Sequence, residues 1–220
     1  MKILCFDTSG NIATCALWQD GAVTASAGGD AKLRHSSVML PLAEGILKDA
    51  GMTAADVDVF AAVVGPGSFT GIRVAVAAAK GFGWSLGKPC AGISSLEAAA
   101  WAASDFNGKI LAVIKARPKE YFYGIFESDG NVPARLCPDG CGSPAEILEQ
   151  LGGKAFLAGD GAEDFLREPE AGGAPLTPTG RVQSAAAAAR CAGHHKNFSE
   201  AKDITPAYLK LSQAERNLKK

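Results

Sequence analysis

The chain has 220 residues, 47% of them hydrophobic, so it can fill a core and is not disordered throughout. Its 22 basic and 23 acidic residues leave a net charge of −1, which supplies no strong pull toward nucleic acid or a membrane surface. No apolar run approaches the ~18 residues of a membrane span, and six scattered cysteines in a chain this long need not be disulfides, so the cytoplasm is the expected compartment.

In chain order, Ile3-Leu4-Cys5-Phe6 reads as a strand that stops at Asp7, too short for an export signal. A turn at Ser9-Gly10-Asn11 leads to a second strand, Thr14–Trp18, which ends at Asp20-Gly21. Val23 begins a third. A helical stretch near Val38–Ala50 precedes a buried strand, Val57–Val64, that runs into Gly65-Pro66-Gly67. A helix over about Gly71–Leu86 follows. Halfway along, the order recurs. Lys109-Ile110-Leu111 opens a strand, Arg117-Pro118-Lys119 breaks it, and Tyr121–Phe126 returns to Asp129-Gly130. Val132, a helix near Pro144–Leu151, a strand Ala155–Ala158 and Gly159-Asp160-Gly161 complete the second pass.

Five features in the same order point to duplication. Two hairpin-led α/β domains with a cleft between them describe the actin-like ATPase (ASKHA) fold, by analogy of architecture. The expected domains are 1–105 and 106–204, with the border near Ala103–Gly108. The tail, Thr205–Lys220, reads as a helix that crosses back to the first domain.

The segment Gly65-Pro66-Gly67-Ser68-Phe69-Thr70-Gly71-Ile72-Arg73 joins a strand to a helix. Its glycines allow close approach, Ser68 or Thr70 can cap the helix, and helix-start amides can hold an anion. It is either a phosphate or partner loop or a structural turn. It is neither a Walker A loop nor a dinucleotide fingerprint. The helix that follows carries only Arg73 and Lys80 as charges and is apolar nearly all round, so it needs burial on more than one side. The helix before it shows Val38, Met39, Leu42 and Ile46 on one broad face. The expected partner interface is therefore His35, Val38, Met39, Leu42, Ile46, Val74, Ala75, Ala78, Ala79 and Phe82. The alternative is burial beneath the C-terminal helix.

The blocks Gly65–Arg73, Ala79-Lys80-Gly81 and Gly92-Ile93-Ser94-Ser95-Leu96-Glu97 resemble the TsaB (YeaZ) family. Phe6-Asp7-Thr8-Ser9, Arg117–Tyr121, Gly159–Gly161 and Pro206–Leu209 fit it too, so the likeness runs nearly the whole chain in order. The resemblance implies a non-catalytic part in making N6-threonylcarbamoyladenosine in tRNA. It implies a heterodimer with the catalytic homologue TsaD and a TsaE-type ATPase in the complex; the two apolar helices add the expectation of a homodimer when alone. No cofactor is expected, and with a net charge of −1 and basic residues clustered only at the tail, no tight tRNA binding by the chain itself is expected. An older label for the wider family is glycoprotease, peptidase family M22. One departure is Lys115 ahead of Ala116-Arg117, where the family carries an acidic residue.

An actin-like phosphotransferase needs two glycine-bearing phosphate hairpins. Asp7-Thr8-Ser9-Gly10 offers one, but Lys115–Lys119 has neither Asp nor Gly, and Pro118 lacks an amide donor. Asp7, Thr8, Ser9, Gly65, Gly67, Ser68, Thr70, Gly71 and Arg73 are thus expected as a vestigial phosphate-facing set. A nucleotide switch is disfavoured on the same ground. A hydrolase could draw on Asp7, His35 and Ser36 or Ser68, but such triads are recognised by geometry and not by sequence. TsaD-type metal binding uses two histidines at i, i+4, whereas His35 meets Met39 at that spacing. No metal is expected there. Cys137, Cys141, Cys191 and His194 or His195 form the alternative zinc set, if two pairs distant in sequence meet.

Overall fold

The computed structural model describes residues 1–30 and 35–209, with residues 30, 35 and 36 described by backbone alone. The first half contains β1 (Lys2–Asp7), β2 (Ile12–Gln19), β3 (Ala22–Asp30), α1 (His35–Asp49), β4 (Val59–Gly65), α2 (Phe69–Leu86), β5 (Cys90–Ser94) and α3 (Ser95–Ala102). The second contains β6 (Asn107–Arg117), β7 (Glu120–Asp129), β8 (Pro133–Arg135), β9 (Gly140–Gly142), α4 (Pro144–Leu151), β10 (Ala155–Ala158), α5 (Ala162–Leu166), β11 (Leu176–Pro178) and α6 (Ala185–His195).

The sheets repeat one plan. The first has the order β3-β2-β1-β4-β5, the second β8-β7-β6-β10-β11, with β9 also on β7. In each, the opening hairpin is antiparallel and the two later strands are parallel to the first. This is the duplicated actin-like ATPase architecture. Each sheet has helices on both faces, so its central strands are apolar at every position rather than at alternate ones. On β1, Leu4 and Phe6 join the core under α1 and α2, while Ile3 and Cys5 join the opposite core with α6. On β6, Leu111 and Val113 face α4 and α5, while Ile110, Ala112 and Ile114 face α3.

The helix that closes each half covers the sheet of the other half. Leu96, Ala99, Ala100 and Ala103, on or just after α3, pack on the second sheet, and Ala185, Ala188, Ala189 and Cys191 of α6 pack on the first. The return to the first sheet thus begins at α6, earlier than the Thr205 read from the sequence. Residues 204–209 are not helical, and 210–220, the remainder of the expected tail helix, lie outside the described residues. Here the chain bonds to its neighbours instead of to itself. The Ala207 amide donates to the Val64 carbonyl at 2.8 Å, and the Lys80 ammonium donates to the carbonyls of Lys202 and Ile204 at 3.0 and 3.2 Å.

Ser68 caps α2, its Oγ accepting from the Gly71 amide at 3.2 Å. A Cβ on Gly71 would lie 1.8 Å from the Thr8 carbonyl oxygen, so the β1–β2 loop sits directly on the helix backbone there. Gly81, in the same helix, has open space around the corresponding point. Helix propensity favours alanine over glycine at both by about 1 kcal/mol. We predict that Gly81→Ala stabilises the chain by about 0.5–1 kcal/mol, whereas Gly71→Ala reverses sign and costs about 3 kcal/mol. Urea unfolding of the two variants checks this. A stable Gly71→Ala would show that the loop does not press on the helix.

Candidate functional site

Of the residues expected to face a phosphate, Asp7, Thr8, Ser9, Gly67, Ser68 and Gly71 are brought together at the end of β1, and the bonded groups among them are engaged with one another. Asp7, Thr8 and Ser9 are buried. The Ser9 amide and hydroxyl both donate to Asp7 Oδ1, at 2.8 and 2.7 Å. The Thr8 hydroxyl donates to the Gly71 carbonyl at 2.5 Å, and the Ser68 amide donates to the Ser9 carbonyl at 2.8 Å. Gly67 has φ +155° and a Cβ there would stand 2.5 Å from the Ser9 carbonyl oxygen, so only glycine fits. The glycine turn therefore clamps the hairpin loop. This geometry accounts for the turn without a ligand.

The second glycine turn makes the same clamp on the second hairpin: the Gly161 amide donates to the Val113 carbonyl at 3.2 Å. The two hairpins differ in their tips. Residues 8–11 form a loop between β1 and β2, whereas Arg117 pairs directly with Glu120 across the two-residue turn Pro118-Lys119. Lys115 reaches α5 instead, its ammonium 2.8 Å from Asp164 Oδ2. That bond holds Asp164 below the usual carboxylate range.

A carboxyl from the second half comes close to the first hairpin loop. Asp160 lies against Gly10, its amide donating to Gln183 Oε1 at 3.2 Å; the residue is exposed, and crowding of the carboxyl by the surrounding protein raises its pKa against the lowering effect of Gln183. Burial pushes Asp7 up to about 6; the two bonds from Ser9 oppose the rise, and the Asp160 charge adds to it.

Arg73 and Thr70 point elsewhere. Thr70 is exposed. The Arg73 guanidinium lies 3.9 Å above the Phe69 ring, and its Nε donates to the Tyr208 hydroxyl at 2.8 Å. Phe69 and Tyr208 stack with ring centres 4.9 Å apart. Arg73 thus ties the tail to α2 on the outer surface and does not face the cleft.

The α1–α2 face departs from the expected list. Met39, Ile46, Ala75 and Ala79 are core residues, all buried beneath the two helices. A helix that is apolar all round does not show in sequence which side meets the sheet. Val38, Leu42, Val74, Ala78 and Phe82 are half-buried at the edge of that core, and the side chain of His35 lies outside the described residues. The surface mixes residues of the expected list with others outside it. Leu40, Ala77, Gly81 and Ser85, with Val74, Ala78 and Phe82, line a groove of about 480 Å³ between the helices. Leu40 is 53% exposed, and Trp84, one turn beyond Gly81, is 77% exposed. The signal was available in part: Ala77, Gly81 and Trp84 fall at i, i+4 and i+7, one face of the helix.

The zinc set read from spacing is not assembled. Among the described residues, the metal-competent group brought together is Glu97, Cys191 and His195, without Cys137 or Cys141.

The raised pKa of Asp7 carries a stability prediction. Its folded value lies above the unfolded one, so the native state holds the proton more tightly, and stability falls as pH rises from about 4 to about 6. Asp7→Asn keeps an acceptor for Ser9 and removes the charge. It is expected to raise stability at pH 7.5 by about 2 kcal/mol and to make the slope between pH 4 and 6 shallower. Chemical unfolding across that range measures both, and a variant weaker than wild type at pH 7.5 would refute the burial argument.

A family model described as TsaD, tRNA N6-adenosine threonylcarbamoyltransferase, matches residues 23–219. The chain is 30% identical over 225 aligned residues to the tRNA threonylcarbamoyladenosine biosynthesis protein TsaB of Bacillus subtilis (strain 168), covering 98% of this chain and 96% of that protein. It is 32% identical over 170 residues to the protein of the same name from Escherichia coli (strain K12), covering 73% of this chain and 72% of that one. Among solved structures, YeaZ from Pseudomonas aeruginosa matches with a TM-score of 0.82 at 24% identity, over 94% of this chain and 99% of that chain.

Proposed function

The chain belongs to the TsaB family of tRNA threonylcarbamoyladenosine biosynthesis proteins, and from that premise we propose that it is a non-catalytic subunit that docks a TsaD-type catalytic homologue in the cytoplasm. The observation that carries this reading is the open apolar face of α1 and α2: Leu40, largely in solvent, lines a groove with Ala77, Ala78 and Gly81, and Trp84 stands exposed on the same helix one turn beyond Gly81. Small side chains on α2 let a second pair of helices approach closely, and large apolar anchors beside them suit a packed contact. Contiguous apolar surface of this kind marks interaction sites on soluble proteins. A second copy of the chain takes the same face when the partner is absent, and a TsaE-type ATPase joins the assembled pair.

The closed hairpin loops support the non-catalytic part. Ser9 and Thr8 spend their hydroxyls on Asp7 and Gly71, and the second hairpin has no loop in which to seat a phosphate. With a net charge of −1, the chain depends on the partner to bring tRNA. An actin-like phosphotransferase or an M22-type hydrolase gains no specific support from these contacts.

Ala77→Glu and Trp84→Ala test the docking face, because both positions are exposed and the fold does not depend on them. A carboxylate placed in a packed apolar contact costs about 3 kcal/mol or more. Affinity for the TsaD-type homologue, measured by calorimetry and size-exclusion chromatography, should fall at least about a hundredfold with Ala77→Glu and clearly with Trp84→Ala. Two folded variants that bind like wild type would place the interface elsewhere. For activity, the purified chain given tRNA and threonylcarbamoyl-AMP should form no modified adenosine until the homologue is added. Turnover by the chain alone would overturn the accessory role.

A further inference from the structure

We propose that Glu97, Cys191 and His195 form a binding site for a divalent cation of the zinc class, set between α3 and α6. The three side chains come from the exchanged helices. Cys191 and His195 stand at i and i+4 on α6, so both project from one face of that helix. Glu97 lies in the first turn of α3, which packs against α6. One ligand atom from each lies within 4.8 Å of the other two, and His195 Nε2 is 3.1 Å from Glu97 Oε1. Tetrahedral zinc, with bonds of about 2.0–2.3 Å, places its ligands roughly 3.3–3.8 Å apart. The group needs only a modest contraction to reach that spacing.

The donor set selects the ion. One sulfur, one imidazole nitrogen and one carboxylate oxygen suit zinc and its neighbours, whereas magnesium and calcium require an oxygen shell. A thiolate and a carboxylate together balance the charge of a divalent ion. Burial, and next the Glu97 charge, raise the Cys191 thiol well above its ordinary value, so it is protonated at neutral pH until a cation binds. On binding, the S–H bond breaks, a sulfur–metal bond forms and one proton passes to solvent. The site opens to solvent at its rim, since Cys191 is buried while the His195 side chain is 41% exposed. Three protein ligands leave the fourth position for water.

A supporting shell is present. Arg135 holds the other oxygen of Glu97 at 3.4 Å and pairs with Asp139, which accepts from the Ser94 hydroxyl at 2.5 Å. Ser94 also caps α3, accepting from the Leu96 and Glu97 amides at 3.2 and 3.4 Å. The carboxylate is therefore aimed before any ion arrives, the arrangement that orients ligands in metal sites. The rings of Trp101 and His194 flank His195, with centres 6.2 and 5.3 Å from its own.

This inference stands apart from the docking reading and is tested on the full chain alone. The metal-stripped protein is titrated with Co²⁺ as an optical probe and then with Zn²⁺ as competitor. The expected result is a thiolate-to-cobalt absorption band in the near ultraviolet that saturates at one ion per chain and is displaced by zinc. Cys191→Ser should abolish the band. His195→Ala, at an exposed position that leaves the fold intact, should weaken binding roughly tenfold or more. The double variant Cys137→Ser/Cys141→Ser should keep the band. At a fixed Zn²⁺ concentration the unfolding temperature of wild type should rise, and that of His195→Ala should rise less. The proposal fails if wild type gives no band, if His195→Ala binds as tightly as wild type, or if the band vanishes only in the Cys137/Cys141 variant. Any of these would leave Glu97–His195 as a structural ion pair only.

Discussion

The fold depends on an exchange. The inner face of the first sheet carries Ile3, Cys5, Val59, Ala61 and Val63, and the first half keeps α1 and α2 on the opposite face. The second sheet presents Ile110, Ala112 and Ile114 inward, with α4 and α5 outside. Each inner face is closed by the last helix of the other half. At about 25 cal/mol per Å² of buried apolar surface, neither sheet can leave such a face in water. The two halves are thus parts of one cooperative unit, and the cleft between them is fixed by α3 packing on α6. The alanine-rich sequence of α6 follows, since small side chains let its backbone come close to the sheet on one side and to α3 on the other.

The same economy of space shapes the cleft. The glycine turn read as a candidate ligand loop holds the neighbouring loop instead, with Gly67 and Gly71 against the carbonyls of Ser9 and Thr8. The Thr8 and Ser9 hydroxyls are bonded to Gly71 and Asp7, and the Ser9 carbonyl to the Ser68 amide, so these groups are engaged by the protein itself. The surface proposed above for docking lies outward of this loop, on the apolar face of α1 and α2. There the tail, through Lys80 and Arg73, secures the helix that bears most of that surface.

Much of this was legible in the residues. The hairpins, the parallel strands, the two glycine turns and the duplicated order follow from apolar runs and turn chemistry. Other features were not. In α3, Ser95–Ala102, and α6, Ala185–His195, there is little contrast between faces, so periodicity cannot say what they pack on. For the same reason the sequence could not tell Ala75 and Ala79, which are buried, from Ala77, which is exposed. The pairing of Cys137 with Cys141 was drawn from local spacing, while the group that does assemble needs two helices more than eighty residues apart in sequence to meet. The tail read as helical because a proline followed by polar and apolar residues resembles a helix start. In the folded chain, the Ala207 amide is taken by β4.

The exchange of helices also sets the timetable of synthesis. The last strand of the first sheet ends at Ser94, but α6, which covers that sheet, ends at His195. At ~5–20 residues per second, several seconds of translation separate the two. Throughout that interval the nascent chain carries a strand-rich apolar face without its cover. Such a face is a target for chaperones and a nucleus for misassembly. Contacts between the opening strand and the closing helix also give the chain long-range order that forms late and slowly. The helix exchange that makes the two halves one unit thus postpones the native state until nearly the whole chain has been made.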